Sequence, residues 1–550
     1  MFVRAKRTGQ RTYLQLVESY RDGDRVRQRL RASLGRLDLL QQSGGLEDLA
    51  RSLTRFSDRL AILSASGREV REVAARRIGA PLLFARLWRE LGVAEVLHGL
   101  AAERNFGFDL ERAVFVTVLH RLLAPGSDRQ AERWMRDYLL PGAEGLDLQH
   151  FYRAMAWLGE PLGASEQAGA TPFAPRCTKD VLEEQLFARR RDLFTGLDLL
   201  FFDTTSIYFE GQGGESLGQY GHSKDHRPDL RQLVVGVVLD NESQPVCAEL
   251  WPGNSADVKT LLPVAARLRA RFGVPRPCVV ADRGMISAQT RQELEKESWS
   301  YILGARMRSC AEVRDEVLGR AGRYEVVRPE REASHEPSPL KVKEVWVAER
   351  RYVVCLNEEE ARKDRHDREA IVTSLREALR HGDKSLVGNR GYRRYLKAGA
   401  GRFTIDDEKI EAEARYDGKW VLQTNTALPA AEVALKYKQL WMVEEVFRAM
   451  KTVLETRPIY HKCDETIRGH VWCSFLALVL RVELRRRLAA LKGSGARPEW
   501  ADVVRDLEAL KETEIEVDGK LFVVRSEARG AAVKVFRACG VALPALGRAL

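Results

Sequence analysis

The chain has 550 residues, 45% of them hydrophobic and 30% charged, an ordinary globular composition with room for three or four domains of roughly 100–200 residues. Lys and Arg number 89 against 78 acids, a net charge of +11, which favours a polyanionic partner, most simply nucleic acid. The eight scattered cysteines form no CxxC pair, which argues against structural zinc and for reduced, cytoplasmic thiols. The start MFVRAKRTGQRTY has no signal-peptide run, and apolar runs such as CSFLALVL at 473–480 fall short of the ~20 residues of a membrane span.

Residues 1–44 read as a basic hairpin turning at Asp22–Gly23, with ten Lys or Arg and four acids in residues 1–40; a solvated surface and a DNA-touching arm both fit. Residues 45–176 read as a helical DNA-binding or oligomerisation region ending in a Gly/Pro/Ala-rich linker. Within it, FDLERAVFVTVLHRLL is one helix, and Ser127 with Gln130 reads as a capping box opening DRQAERWMRDYL. Helix, turn, helix is either a packed pair or a DNA-reading unit.

From 177 the texture changes. The helix DVLEEQLFARRRDLF leads into LDLLFFDTTSIYF, a buried strand by its continuous apolar run, which carries Asp203. RQLVVGVVLDN and PVCAELWPGN follow as strands, then the helix ADVKTLLPVAARLRARFG. The strand PCVVADRGM ends on Asp282, and the helix SAQTRQELEKES precedes the strand WSYILGARM. The order β-β-β-α-β-α-β is that of an α/β, RNase H-like core, here 177–306 with its final helices at 429–497. The intervening residues 307–428 are too long for a structureless loop and read as a mostly β insertion subdomain with one helical patch. Its stretch 376–402, with eight Lys or Arg against two acids, is either a phosphate-binding or a solvated face. Residues 498–550 read as a small α/β cap.

The stretch YKQLWMVEEVFRAMK reads as one helix. Tyr437, Leu440, Trp441, Glu444, Phe447, Arg448 and Lys451 recur at steps of three or four and share a face. An amphipathic core helix with a salt-bridged edge would look the same. What favours chemistry is Asp203 within one apolar strand and Asp282 at the end of another. A buried carboxylate needs a partner. If the two strands are neighbours, their acids converge, and with Glu444 from the helix they call for a cation. Oxygen ligands without His or Cys favour Mg²⁺ or Mn²⁺, and two such ions suit in-line phosphoryl transfer.

These residues resemble those of bacterial insertion-sequence transposases of the DDE type. They resemble most the superfamily (IS-four) with a β-rich insertion before the last acid and a Y-x2-R-x3-E-x6-K signature. Tyr437, Leu440, Glu444 and Lys451 stand at those spacings, with Leu440 in place of the arginine. GHSKDHRPDLRQ, PGNSADVKT, ADRGMIS, YDGKWVLQTN, IRGHVWCSFLAL and APGSDRQAERW extend the resemblance over nearly the whole chain. It implies that Asp203, Asp282 and Glu444 are the catalytic, metal-binding acids, with two Mg²⁺ ions that Mn²⁺ replaces. Glu445, about 100° round the helix, is the rival third acid. Tyr437 and Lys451 would contact phosphates, Arg448 would stand in for the missing arginine, and Arg283, Lys224 and Arg227 are further candidate DNA contacts. His222 and His226 read as loop residues near DNA. The resemblance further implies a cytoplasmic, nucleoid-associated protein that binds double-stranded DNA, at inverted-repeat ends and at a target. It implies a homo-oligomer, a dimer in the end-paired complex. A nuclease that does not join strands and a non-cutting end-binding protein remain alternatives.

Overall fold

The computed structural model describes residues 1–22, 25–53, 70–167, 170, 174–190, 199–256, 260–273, 278–285, 287–328, 339–380, 392–399, 402–491, 497–517 and 520–550. Gly23 of the expected turn, part of the linker, and residues 381–391, 400 and 401 of the basic stretch 376–402 therefore lie outside the described residues. The chain divides into two compact units. One takes Met1–Arg86, Arg133–Leu140 and Arg487–Leu550; the other takes Leu87–Glu132 and Pro141–Arg486.

In the first unit, β1 (Phe2–Thr8), β2 (Arg11–Asp22) and β3 (Arg25–Arg36) form an antiparallel sheet in that order, one strand more than a hairpin. Its arginines are tied by neighbours on the same face: Arg29 and Arg31 donate to Glu18, and Arg4 to Gln28 and Gln15. A helix follows at Gly45–Leu53, but Val70–Arg77, inside the region expected to be helical, is a strand, β4.

The second unit holds the large sheet. Its strands are β5 (Leu199–Tyr208), β6 (Gln232–Leu239), β7 (Pro245–Pro252), β8 (Cys278–Ala281) and β9 (Ser300–Ala305), then β10 (Glu325–Val327), β11 (Leu340–Val347), β12 (Arg350–Asn357) and β15 (Lys419–Thr424). Between β12 and β15 lies the small β13 (Leu396–Gly399)–β14 (Arg402–Ile405) pair. The sheet order is β10-β11-β12-β15-β9-β8-β5-β6-β7. β5 pairs antiparallel with β6 and parallel with β8, and β8 pairs parallel with β9. All five strands expected before residue 306 are present. Four of the strands in 307–428 join the main sheet. These, β10, β11, β12 and β15, continue it outward from β9, because β15 offers its edge to β9. The insertion also contains a 23-residue helix, Glu358–Arg380, and a helix at Asp407–Ala414, so it is mixed.

One face of the sheet is lined by Leu200 and Phe202 of β5, Val234 and Val238 of β6, Val279 and Ala281 of β8, and Tyr301 and Leu303 of β9. The Leu261–Phe272 helix covers them with Leu261, Val264, Ala265, Leu268 and Phe272. A buried ion network locks that helix to Thr178–Arg190 and β7. Arg271 reaches Glu183 (2.7 Å), Glu249 (3.0 Å) and Asp180 (3.3 Å), and Arg267 meets Glu249 at 3.1 Å. Arg271 is 3% exposed and Asp180 wholly buried. Burial pushes the Asp180 carboxyl up, but Lys179, Arg271 and Arg267 outweigh it and hold it below the carboxylate range.

The Leu110–Leu123 helix is buried along all but one of its residues, which suits a packed core helix and leaves no face for a groove. The capping box stands: Ser127 N–H donates to Gln130 Oε1 (2.8 Å), and Gln130 N–H to Ser127 Oγ (3.3 Å). In the first unit the chain ends with β16 (Lys511–Val517), β17 (Lys520–Arg525) and β18 (Gly547–Ala549), in a sheet of order β18-β17-β16-β4. The expected α/β cap thus includes a strand from more than 400 positions upstream. Among the described residues no helix is long and apolar enough to cross a membrane.

Arg271→Met would leave three buried carboxylates short of a cation. The expected loss is about 3–5 kcal/mol, read from urea unfolding; a loss below about 1 kcal/mol would show that the network behaves as a solvated one.

Candidate active site

The parallel registers fix the site. Phe202 lies level with Ala281, and Ala281 with Leu303. One step on stand Asp203 in β5, Gly304 in β9 and Asp282, the first residue past the end of β8. Side chains alternate along a strand. Since Phe202, Ala281 and Leu303 belong to the apolar face, Asp203 and Gly304 belong to the opposite one, and Asp282, just past β8, meets Tyr437 beside Gly304. The expectation that their two strands are neighbours is met. Both carboxylates are half-buried, and Asp203 Oδ1 accepts from the Thr204 N–H at 2.7 Å.

On that opposite face the expected single helix is broken in two. Ala430–Lys438 is one helix and Trp441–Arg448 the next, with a turn at Gln439–Leu440; Ala449–Val453 then widens into a π-helical turn. The break splits the supposed common face. Leu440, Val443 and Phe447 are buried, whereas Trp441, Glu444 and Arg448 are exposed. Leu440, at the arginine position of the signature, is thus a core residue, 7% exposed.

Tyr437, on the first helix, donates its hydroxyl to Asp282 Oδ1 at 2.9 Å. Burial and the Asp282 carboxylate push the phenol upward, so it stays protonated and remains a donor. Gly304 makes this contact possible. A Cβ there would sit 2.4 Å from Tyr437 Oη and 2.9 Å from the Arg283 nitrogen. Sequence reasoning missed Gly304; the only signal was a glycine inside a strand-like run.

Glu444 lies in the first turn of the second helix, which packs on β5 and β6. Its carboxylate does not gather with those of Asp203 and Asp282 inside a 4.8 Å cluster. Ligands of two ions ~3.5–4 Å apart spread wider than those of one, and an all-oxygen donor set is the kind that hard divalent cations take. Glu445 is committed elsewhere, in an ion pair with Arg485.

The cations are placed unevenly. Lys224 Nζ donates to Thr204 O (2.7 Å) and Oγ1 (3.0 Å), beside Asp203. Lys451 Nζ pairs with Asp225 at 2.7 Å; burial draws its ammonium down and Asp225 opposes this. Arg283 is exposed directly after Asp282, and its carbonyl accepts from Arg306 Nε (3.1 Å). Arg448 is exposed. Arg227 is held by Asp229 at 2.9 Å and stacks over the Tyr208 ring. His222 and His226 are exposed loop residues.

A second cluster, Asp128, His461 and His470, has the spacing of a metal site, but Arg121 occupies it. Arg121 Nη2 lies 3.1 Å from His470 Nδ1 and 3.6 Å from Asp128 Oδ1. A fixed guanidinium repels a cation, so this is a neutral-histidine knot. Burial, then Arg121, drives His470 well below its ordinary value; the same causes bring His120 down to about 3.

Residues 195–480 match the family described as Transposase DDE domain, and residues 2–67 the IS1634 family transposase, N-terminal domain. No curated protein matches. Among solved structures the chain is similar to a piggyBac transposase synaptic complex with hairpin DNA, at 9% identity and TM-score 0.37, over 78% of this chain and 79% of that one. It is also similar to a Mos1 transposase paired-end complex with left transposon end, at 15% identity and TM-score 0.14, over 36% of this chain and 60% of that one.

Two outcomes follow from the geometry. Gly304→Ala should cost about 1–3 kcal/mol by overpacking, and distinctly less in a Tyr437→Phe background, which removes the clashing oxygen; equal costs in both backgrounds would show that the hydroxyl is not the obstacle. The second concerns pH. His120 and His470 stay neutral when folded and take up protons near pH 6.5 when unfolded, so stability is lost as pH falls below that value. The expected slope is about 1.4 kcal/mol per pH unit for each histidine. Urea midpoints from pH 7.5 to 5 measure it; a flat profile would contradict it, and His470→Gln should reduce the slope.

Proposed function

The chain belongs to the transposases with a DDE domain, and from that premise we propose that it cuts its own element's inverted-repeat ends and joins them to target DNA. The observation that supports the reading is that β5, which carries Asp203, pairs parallel with β8, which leads directly into Asp282, while the helix bearing Glu444 packs on β5 and β6. The strand order β7-β6-β5-β8-β9, three strands antiparallel and then two parallel, supports an RNase H-like core.

In this reading Asp203, Asp282 and Glu444 hold two divalent ions, Mg²⁺ with Mn²⁺ as a substitute. Bound there, the ions would supply Lewis acidity to the nucleophile and leaving oxygen of an in-line displacement. The chain's own residues do the rest. Tyr437 orients Asp282 by its hydrogen bond and leaves the second oxygen for coordination. Lys224, Lys451, Arg283 and Arg448 take backbone phosphates; Arg227, forked to Asp229, would first have to release it. Water attacks the phosphodiester at the element end, and the 3′-oxygen leaves. The freed 3′-hydroxyl then attacks a target phosphodiester, so no covalent protein–DNA bond forms. Two ends in one assembly call for a dimer. A nuclease that cuts without joining would share every one of these residues, and only a joined product separates the two.

The test is a labelled duplex carrying the element end, with Mg²⁺ or Mn²⁺ and a target duplex. Wild type should nick at the end and join it to target. Asp203→Ala, Asp282→Ala and Glu444→Ala should each lose at least about 10²-fold in rate while still binding the end. If Glu444→Ala cut normally and Glu445→Ala did not, the third acid would be misassigned. Binding without cutting in either metal would sink the catalytic reading.

A further inference from the structure

The loop between β5 and β6 carries Lys224 and Asp225 side by side. Lys224 pins it to β5: its backbone N–H donates to Ser206 Oγ (2.8 Å) and its ammonium to Thr204. Asp225 faces different partners. Its Oδ1 accepts from Lys451 Nζ at 2.7 Å and from Arg457 Nη1. The carboxylate is 6% exposed, and its Oδ2 is buried without a partner. Among the described residues those two cations are the only partners of its side chain. A buried carboxylate without backbone donors is stable only while its cations stay, so the three groups form one unit.

That unit is attached to the elements that carry the proposed metal residues: Lys224 bonds Thr204, which follows Asp203 on β5, and Lys451 follows Glu444 by seven residues on the same helical stretch. One carboxylate faces two cations, Lys451 and Arg457, so one positive charge remains in surplus. Lysine has three donors and arginine five. One donor of each goes to Asp225, and Arg457 also stacks over the Tyr208 ring at 5.6 Å. The remaining donors are held in a fixed place, which lowers the ordering cost of gripping an anion.

We propose that Asp225 is a positioning residue that holds Lys451 and Arg457 as a two-cation clamp for the DNA phosphates next to the cut, which makes Arg457 a further DNA contact. This rests on the transposase reading. No covalent step is involved: Asp225 neither touches the reacting atoms nor exchanges a proton. Neither Asp225 nor Arg457 stood out in the sequence.

The experiment uses the full chain, the element-end duplex and a random duplex. Arg457→Gln and Lys451→Gln should each lower the slope of log Kd against log salt by about 1. Asp225→Asn keeps the side-chain shape and should slow single-turnover cutting of bound DNA by roughly tenfold to hundredfold, with little change in the salt slope. In the Lys451→Gln background Asp225→Asn should have a smaller effect, since only Arg457 is left for it to hold. Multiplying effects in that double variant, an unchanged salt slope for Arg457→Gln, or faster cutting by Asp225→Asn would each overturn the clamp. The last result would make Asp225 a competitor of phosphate. Should wild type bind but never cut, the catalytic reading fails while the salt slopes still decide the clamp.

Discussion

Parallel pairing of β5 with β8, and of β8 with β9, is the constraint from which the site follows. It sets Phe202, Ala281 and Leu303 level, so that Asp203, Asp282 and Gly304 each follow at the next position. The apolar cluster enforces that register. Leu200 and Phe202 are buried among Val279, Ala281, Tyr301 and Leu303, and a slip of one residue would drive the Asp203 carboxylate into them. Burying an unpaired charge there would cost far more than any strand rearrangement could return. The same packing that stabilises the sheet therefore aims the carboxylates away from it, towards the Ala430–Lys438 and Trp441–Arg448 helices.

Around these residues the charges are arranged with little slack. Tyr437 reaches Asp282 only because Gly304 has no side chain. Lys224 is tethered to Thr204, and Lys451 and Arg457 to Asp225. Two carboxylates held close repel unless cations meet them, and a polyanion approaching them is repelled unless other cations flank the site. The fold supplies the second need through tethered side chains; the proposed divalent ions would supply the first. On the far side of the sheet, the Arg271 network is saturated with internal partners and serves packing instead.

How much could be read from the residues differs from element to element. The five strands before residue 306 were legible because continuous apolar runs bounded by turn residues have few other solutions. The helix carrying Glu444 was legible as a helix but not as two. Its residues are nearly all helix formers, and the break after Lys438 leaves Leu440 buried and Glu444 exposed. VREVAARR at 70–77 could have been either helix or strand, and pairing with Lys511–Val517 decides it. The strands of the insertion were visible one by one, but not that β15 would close on the edge of β9.

The sequence by itself determined the chemistry on offer: acids inside or at the end of apolar strands, a basic excess, and the spacing from Tyr437 to Lys451. Those depend on residue type and short-range periodicity, which a chain carries in any conformation. Only the tertiary structure decided which groups meet. That the strand of Asp203 pairs with the strand ending just before Asp282, that Gly304 yields to Tyr437, and that Lys451 and Arg457 share Asp225 are pairings across sequence separations of 79, 133, 226 and 232 residues. Such contacts are fixed by strand register and packing, and no local pattern in the sequence encodes them.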